Sequence, residues 1–188
     1  MSDIWIWIAL GCGGLLLLGI VLIYNMLIGK RQLTRSGWAD IDVQLQRRAD
    51  LIPKLVDVVS AFAVHEKTTF QETAAARAAV ESAGDDVARR EQAEVRLGRD
   101  AQRLWALAEN YPELTASTSY QELHDQLSHT EEIIARARRF YNGAVRDYNT
   151  AVEQFPASLI AKIGGMSAAP YFNISPEDAA LPVVMFEG

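Results

Sequence analysis

Residues 4–29 contain no charged side chain at all. Cysteine is nearly absent too. The single Cys12 excludes an intramolecular disulfide framework and a cysteine-based zinc site. A basic surplus is also missing, with Lys+Arg 18 against Asp+Glu 24 and a formal net charge of −6. Asp3 is the one charged residue before the chargeless stretch, so residues 30–188 carry a net −5. Nucleic-acid binding needs a basic surface to neutralise phosphates, which argues against nucleic acid as the main partner. Histidines number three. His124 and His129 are five apart, about 140° around a helix, and share no face. His65-Glu66 opens an HExxH pattern, but Thr69 stands where the second histidine belongs. The pairs Glu131-Glu132 and Asp85-Asp86 are adjacent and point in different directions, which suits a solvated face better than paired-acid catalysis. No phosphate-cradling glycine loop and no nucleophile motif occurs. No catalytic residue, metal site or cofactor is therefore expected.

The chargeless stretch is filled by apolar residues. Ile4–Ile28 spans 25 residues, about 37 Å as a helix, enough to cross a hydrocarbon core of about 30 Å. Trp5 and Trp7 lie near one end and Tyr24 near the other, where amphipathic rings favour the headgroup level. Gly11, Gly13, Gly14 and Gly19 either admit a neighbouring helix or are tolerated in a lipid-facing one, and no GxxxG spacing selects between these. No Lys or Arg precedes the run, so the basic region of a signal peptide is missing. Processing as a lipoprotein at Cys12 is the alternative, but some 16 mostly apolar residues would remain after it. The expectation is a retained transmembrane helix over 4–29, after a short external N-terminus at 1–3. Lys30, Arg31, Arg35, Arg47 and Arg48 follow it within 20 residues, so the positive-inside rule puts the bulk in the cytoplasm of a bacterial cell, anchored in the inner membrane.

Beyond the membrane a 3-4 apolar spacing dominates. Positions 38, 41, 45, 48, 52, 55, 59 and 62 read Trp, Ile, Leu, Arg, Ile, Leu, Val and Phe, a seam broken only by Arg48. Pro53 lies inside it without changing its phase, and a kinked helix over about 33–82 is expected. A second stretch, about 85–110, follows Gly84 and a cap at Asp85 or Asp86, with a seam of Leu97, Ala101, Leu104, Ala108 and Tyr111. A third holds the alternation from Leu123 through Leu127, Thr130, Ile134, Ala137, Tyr141, Ala144, Tyr148 and Ala151 to Phe155, with a capping box at Ser119–Glu122. A short amphipathic turn, Ala157–Ile163, closes at Gly164-Gly165. The fold class is all-α: a transmembrane helix continuing into an elongated antiparallel three- to four-helix bundle over 30–165. Residues 166–188 read as an irregular, flexible tail with Pro170, Pro176 and Pro182 and a short strand candidate at Val183–Phe186.

The chain resembles the LemA family of bacterial membrane proteins. The matching residues are Tyr24-Asn25, Trp38 through Asp42, the string Arg47-Arg48-Ala-Asp50-Leu-Ile-Pro53-Lys-Leu-Val56, and His65-Glu66. Further on come Glu109-Asn-Tyr111-Pro112-Glu-Leu114, Thr130-Glu131, Tyr141-Asn142, Tyr148-Asn149 and Phe155-Pro156. The resemblance covers the chain from the membrane helix to about residue 165 and fades after 166. It implies a membrane-anchored antiparallel helical bundle and implies no activity.

Polar residues at seam positions stand out. Arg48 and Glu66 fall in the first seam, where an unpaired charge costs several kcal/mol; a register-setting polar layer is expected, with a partner-binding or lipid-facing site as the alternative. Asn142 and Asn149, seven apart beside Tyr141 and Tyr148, suit hydrogen bonds to a neighbouring helix. The returning helix, about 26 residues, looks too short to cover the first turns of the stalk. Trp38, Ile41, Leu45 and Ile52 would then form an exposed stripe and a homo-oligomer interface. The functional expectation is a membrane-anchored scaffold or assembly protein, contacting lipid, its own copies and other membrane proteins. An unrecognised hydrolase or metal-dependent enzyme is the alternative. The segment 66–96, with Thr69, Thr73, Arg90 and Glu94 on its seam, is expected to be the most mobile part.

Overall fold

A computed structural model describes residues 2–84 and 86–173. Among the described residues the fold has six helices: α1 Ser2–Ser60, α2 Lys67–Ser82, α3 Val87–Ala108, α4 Pro112–Thr115, α5 Thr118–Glu153 and α6 Ala157–Ile163. No strand occurs among the described residues. The strand candidate at Val183–Phe186 lies outside them.

α1 is continuous from the apolar run into the charged part of the chain, and Pro53 sits inside it. Proline has no N–H to give the carbonyl of Ala49, yet the apolar positions on both sides stay in phase, so packing holds the helix through the lost bond. α1 ends at Ser60, not near residue 82 as the periodicity suggested. Ala61–Glu66 form a turn, and Glu66 is the exposed residue preceding α2. The expected seam position for Glu66 is therefore wrong: the chain has already left the helix there.

The chain divides into two compact units, one of Met1–Trp38 with Phe140–Pro170 and one of Ala39–Arg139 with Tyr171–Gly188. In the second unit α1 and α3 run in the same direction, as Asp42 meets Arg90 and Arg48 meets Glu94. α2 runs against α3, since Arg103 pairs with Glu72 and Arg90 donates to the Val80 carbonyl. α5 runs against α1, with Glu131 on Arg48. Leu51, Ile52, Leu55, Val59, Ala76, Val80, Leu97, Leu104, Trp105, Leu123 and Leu127 share one core. Each large aliphatic side chain there contributes about 1.5–3 kcal/mol by burial.

The turn between α2 and α3 uses Gly84 at φ +57, a left-handed backbone that side chains resist. Asp86 then caps α3, accepting from the N–H groups of Ala88 and Arg89. At α5 the cap is Ser117, whose Oγ accepts from the N–H of Tyr120. The box expected at Ser119–Glu122 starts two residues too late.

In the first unit α5 again opposes α1. Leu27 packs with Ala151, and Trp38 lies 5.6 Å from Tyr141 between ring centroids. Gly37 permits the approach: a Cβ there would stand 3.3 Å from Tyr141 Cα and from Phe140 Cδ1. α6 folds back onto α1, so that Ala157, Ile160 and Ala161 join Leu27 and Ile23 in one apolar cluster.

Two expectations fail on this architecture. Ile41, Leu45 and Ile52 are buried within one chain, at 0%, 0% and 1% exposure, and Trp38 is half-buried. The stripe is covered because α1 stops at Ser60, so α2 and α3 fold back alongside it as far as Asp42. An exposed oligomer interface at these four residues has lost its premise. The premise of a loosely packed 66–96 fails too, because one face of the segment is packed: Thr73, Ala76, Val80, Arg90, Ala93 and Glu94 are buried.

Candidate functional site: a buried ionic layer and a clamped strap

The exception in the first seam, Arg48, is 2% exposed and carries two ion pairs. Its Nη1 lies 2.8 Å from Glu131 Oε1, and its Nη2 pairs with Glu94 Oε2. Nη2 also donates to the Glu94 carbonyl at 3.4 Å. Glu94 is fully buried, and its other oxygen accepts from Arg90 Nε at 2.9 Å. Arg90 in turn donates Nη1 to the Val80 carbonyl at 3.5 Å. Its Nη2 is 3.0 Å from Asp42 Oδ1, an ion contact without hydrogen-bonding geometry.

Two guanidiniums and three carboxylates thus tie α1, α3 and α5 into one layer. Burial alone would lower the Arg48 pKa; Glu131 and Glu94 outweigh it, so the guanidinium is held above its ordinary value and stays charged. Such a layer adds little net stability, because desolvation of each ion costs several kcal/mol and only a full set of partners recovers it. Arg48 and Glu131 were legible as family-motif residues. The partnership with Glu94 was missed, since Arg90 and Glu94 were read as weak points of a mobile hairpin. Their spacing of four was the available signal, an i,i+4 pair of opposite charge on one helix face.

The Tyr141-Asn142 and Tyr148-Asn149 motifs serve a different contact. Residues Met166–Asn173 form neither helix nor strand. Asn149 Nδ2 donates to the Ala169 carbonyl at 2.9 Å, and Asn149 Oδ1 accepts from the Ala169 N–H at 2.7 Å. The side-chain amide copies the pairing of a strand neighbour. Tyr141 Oη donates to the Pro170 carbonyl at 2.8 Å, and burial pushes its pKa up. Tyr148 is buried and Asn142 half-buried. Tyr141 and Asn149 therefore hold a strap of irregular backbone, where bonds to a neighbouring helix were expected. In the other unit Asn173 donates its N–H to Glu91 at 2.9 Å, and Phe172 is fully buried. The start of the expected flexible tail, 166–173, is held; the rest lies outside the described residues.

The remaining motif residues are spread out. Arg47 and Asp50 are exposed, Asp50 accepting from Gln46 at 3.3 Å. His65 and Glu66 sit exposed in the turn before α2. Tyr111 precedes α4 and Pro112 opens it. Arg47 and Asp50 thus lie on an exposed face of α1, His65 and Glu66 in a turn, and Tyr111 and Pro112 at a helix start. Among the described residues no group of three or more His, Cys, Asp or Glu is placed to hold a metal ion.

The pattern of the LemA family matches residues 37–186. The chain belongs to the LemA family. The match runs past residue 166, where the resemblance was expected to fade, and so includes the strap that Asn149 and Tyr141 hold. Similar proteins are Magnetosome protein MamQ 2 and Magnetosome protein MamQ 1 of Paramagnetospirillum magneticum, and Magnetosome protein MamQ of Magnetospirillum gryphiswaldense. Each is 25% identical over 178 residues, covering 81% of this chain and 65% of the relative. This LemA-family chain thus spans just under two thirds of the length of the curated relatives it matches.

Proposed function

We propose that the protein is a membrane-anchored helical scaffold without catalytic activity. The observation behind the reading is the continuity of α1. One helix supplies both the 25-residue apolar run and the buried seam from Ile41 to Val59 on which α2, α3 and α5 pack. Residues 4–18 of that run are exposed in the isolated chain, as expected of a lipid-facing span. In this reading the span lies in the bacterial inner membrane, with the N-terminus outside and residues 30–188 cytoplasmic, on the strength of the Lys/Arg asymmetry.

Self-association falls to the span in this account and not to Trp38, Ile41, Leu45 and Ile52. A Cβ at Gly11, Gly13, Gly14 or Gly19 would meet nothing within 4 Å, leaving room for a second helix. The relatives' names attach them to magnetosomes, and that location is not carried over to this chain. In-membrane cross-linking with mass spectrometry tests the reading. Reproducible links from exposed α2 and α5 positions to a second copy or to particular membrane proteins support a scaffold. Turnover of a small substrate by the purified chain, lost on a point substitution without loss of folding, would replace it with an enzyme.

A further inference from the structure

We infer that the first unit holds the phosphate headgroup of an anionic phospholipid in a pocket beside the end of the membrane helix; the inference rests on the membrane reading above. A pocket of about 440 Å³ opens between α1, the last turns of α5 and the start of α6. Its walls change character along α1, from Ile23 and Met26 in the apolar run to Lys30, the first charge after it. Across from these stand Arg146, Asp147, Thr150 and Gln154 of α5. Lys30 is half-buried and has no hydrogen-bond or ion-pair partner among the described residues. Arg146 is tied only loosely, its Nε 3.8 Å from Asp147 Oδ1 and 73% of its side chain exposed. Two cations and one carboxylate leave the lining with net +1, matched to a singly charged phosphodiester. Thr150 and Gln154 add neutral donors for its oxygens.

A second observation sets the depth of this pocket. α6 packs Ile160 and Ala161 against Ile23 and Leu27, inside the apolar run, and a Cβ at Gly164 would lie 3.6 Å from Tyr24 Cε2. So α6 is level with the ring expected at the headgroups. The outward face of this segment is apolar: Phe155, Leu159 and Ile163, four apart, are 76%, 57% and 89% exposed. Side chains of that size left open beside a span are seated in the interface, where their apolar area leaves water. The cationic pocket then lies at phosphate level, with Ile23 and Met26 lining the exit of the acyl chains.

The test uses the full chain in a mild nonionic detergent, with native mass spectrometry after addition of phosphatidylglycerol. One retained lipid per chain is expected, and phosphatidylcholine should be retained much less. Lys30→Gln/Arg146→Gln should weaken retention about thirty-fold, from about 1 kcal/mol per cation, with an unchanged far-UV spectrum. Arg35→Gln, outside the pocket, should change it little, and Asp147→Asn should strengthen it. Equal loss on Arg35→Gln, unchanged binding in the double variant, or weaker binding in Asp147→Asn would overturn the site. Displacement by millimolar inorganic phosphate would overturn the lipid assignment. Membrane retention of the double variant should match wild type, so a failed pocket is distinguishable from a failed membrane anchor.

Discussion

Replacing Arg48 by alanine removes the centre of the ionic layer. The substitution deletes both ion pairs of Arg48 and leaves Glu94, fully buried, with Arg90 as its remaining cation. Glu131 is better placed, since 16% of its side chain is exposed and water can enter. Breaking a buried pair from one side costs about 3–5 kcal/mol. The surviving Arg90–Glu94 contact puts Arg48→Ala at the low end, about 3 kcal/mol. For a chain of this length that is a melting shift of about 6–12 °C. Arg31→Ala, with no ion pair among the described residues, should cost less than about 0.5 kcal/mol. Glu131→Ala should fall between the two. The assay is urea and thermal unfolding of the full chain in detergent, followed by far-UV circular dichroism. A double-mutant cycle between Arg48→Met and Glu131→Gln should give a coupling of about 1–3 kcal/mol. Equal shifts for Arg48→Ala and Arg31→Ala, or a coupling near zero, would refute the layer as a register-setting element.

Asn149→Ala removes both bonds to Ala169, so amide exchange at Ala169 should speed up about ten-fold or more while α1 and α5 exchange as before. Tyr120 has a buried hydroxyl with no hydrogen-bond partner among the described residues, so Tyr120→Phe should be neutral or stabilising at pH 7. Burial pushes that phenol from 10.0 to about 12, so ionisation is disfavoured in the fold. Its contribution is intact below pH 10 and lost between pH 10 and 12, and the phenylalanine variant should lack that part of the alkaline decline. Amides of Ala76, Val80 and Ala93–Leu97 should be protected like those of Leu51–Val59, with fast exchange confined to the turn at 61–66; fast exchange throughout 66–96 would contradict the packing described.

The long seams were readable because each is an unbroken 3-4 alternation, which only a helix turns into a stripe. Leu123 to Ala151 is buried or half-buried at every seam position, and the stripe fails only at Phe155, where α5 has ended. The turn at Ala61–Glu66 was not readable, because Ala, Phe, Ala and Val continue the apolar pattern and no Gly or Pro interrupts it. That one missed break produced both the supposed oligomer stripe and the supposed mobile hairpin. Of the ionic layer, the sequence shows that Arg48 needs a partner; naming Glu94 requires the register of α3 on α1, which a single chain's pattern does not contain. The strap was hidden for a different reason: irregular backbone held by Asn149 and Tyr141 has no periodicity to detect.

The central claim is that one helix is both membrane span and bundle core. Alkaline carbonate extraction combined with cysteine labelling tests it, using Cys12→Ser as background and single cysteines at positions 2 and 82. The account predicts a chain that stays in the membrane fraction, with position 2 labelled from outside intact cells and position 82 labelled only after lysis. Release by carbonate would show that residues 4–29 do not span the membrane, and labelling of position 82 from outside would contradict the cytoplasmic bundle.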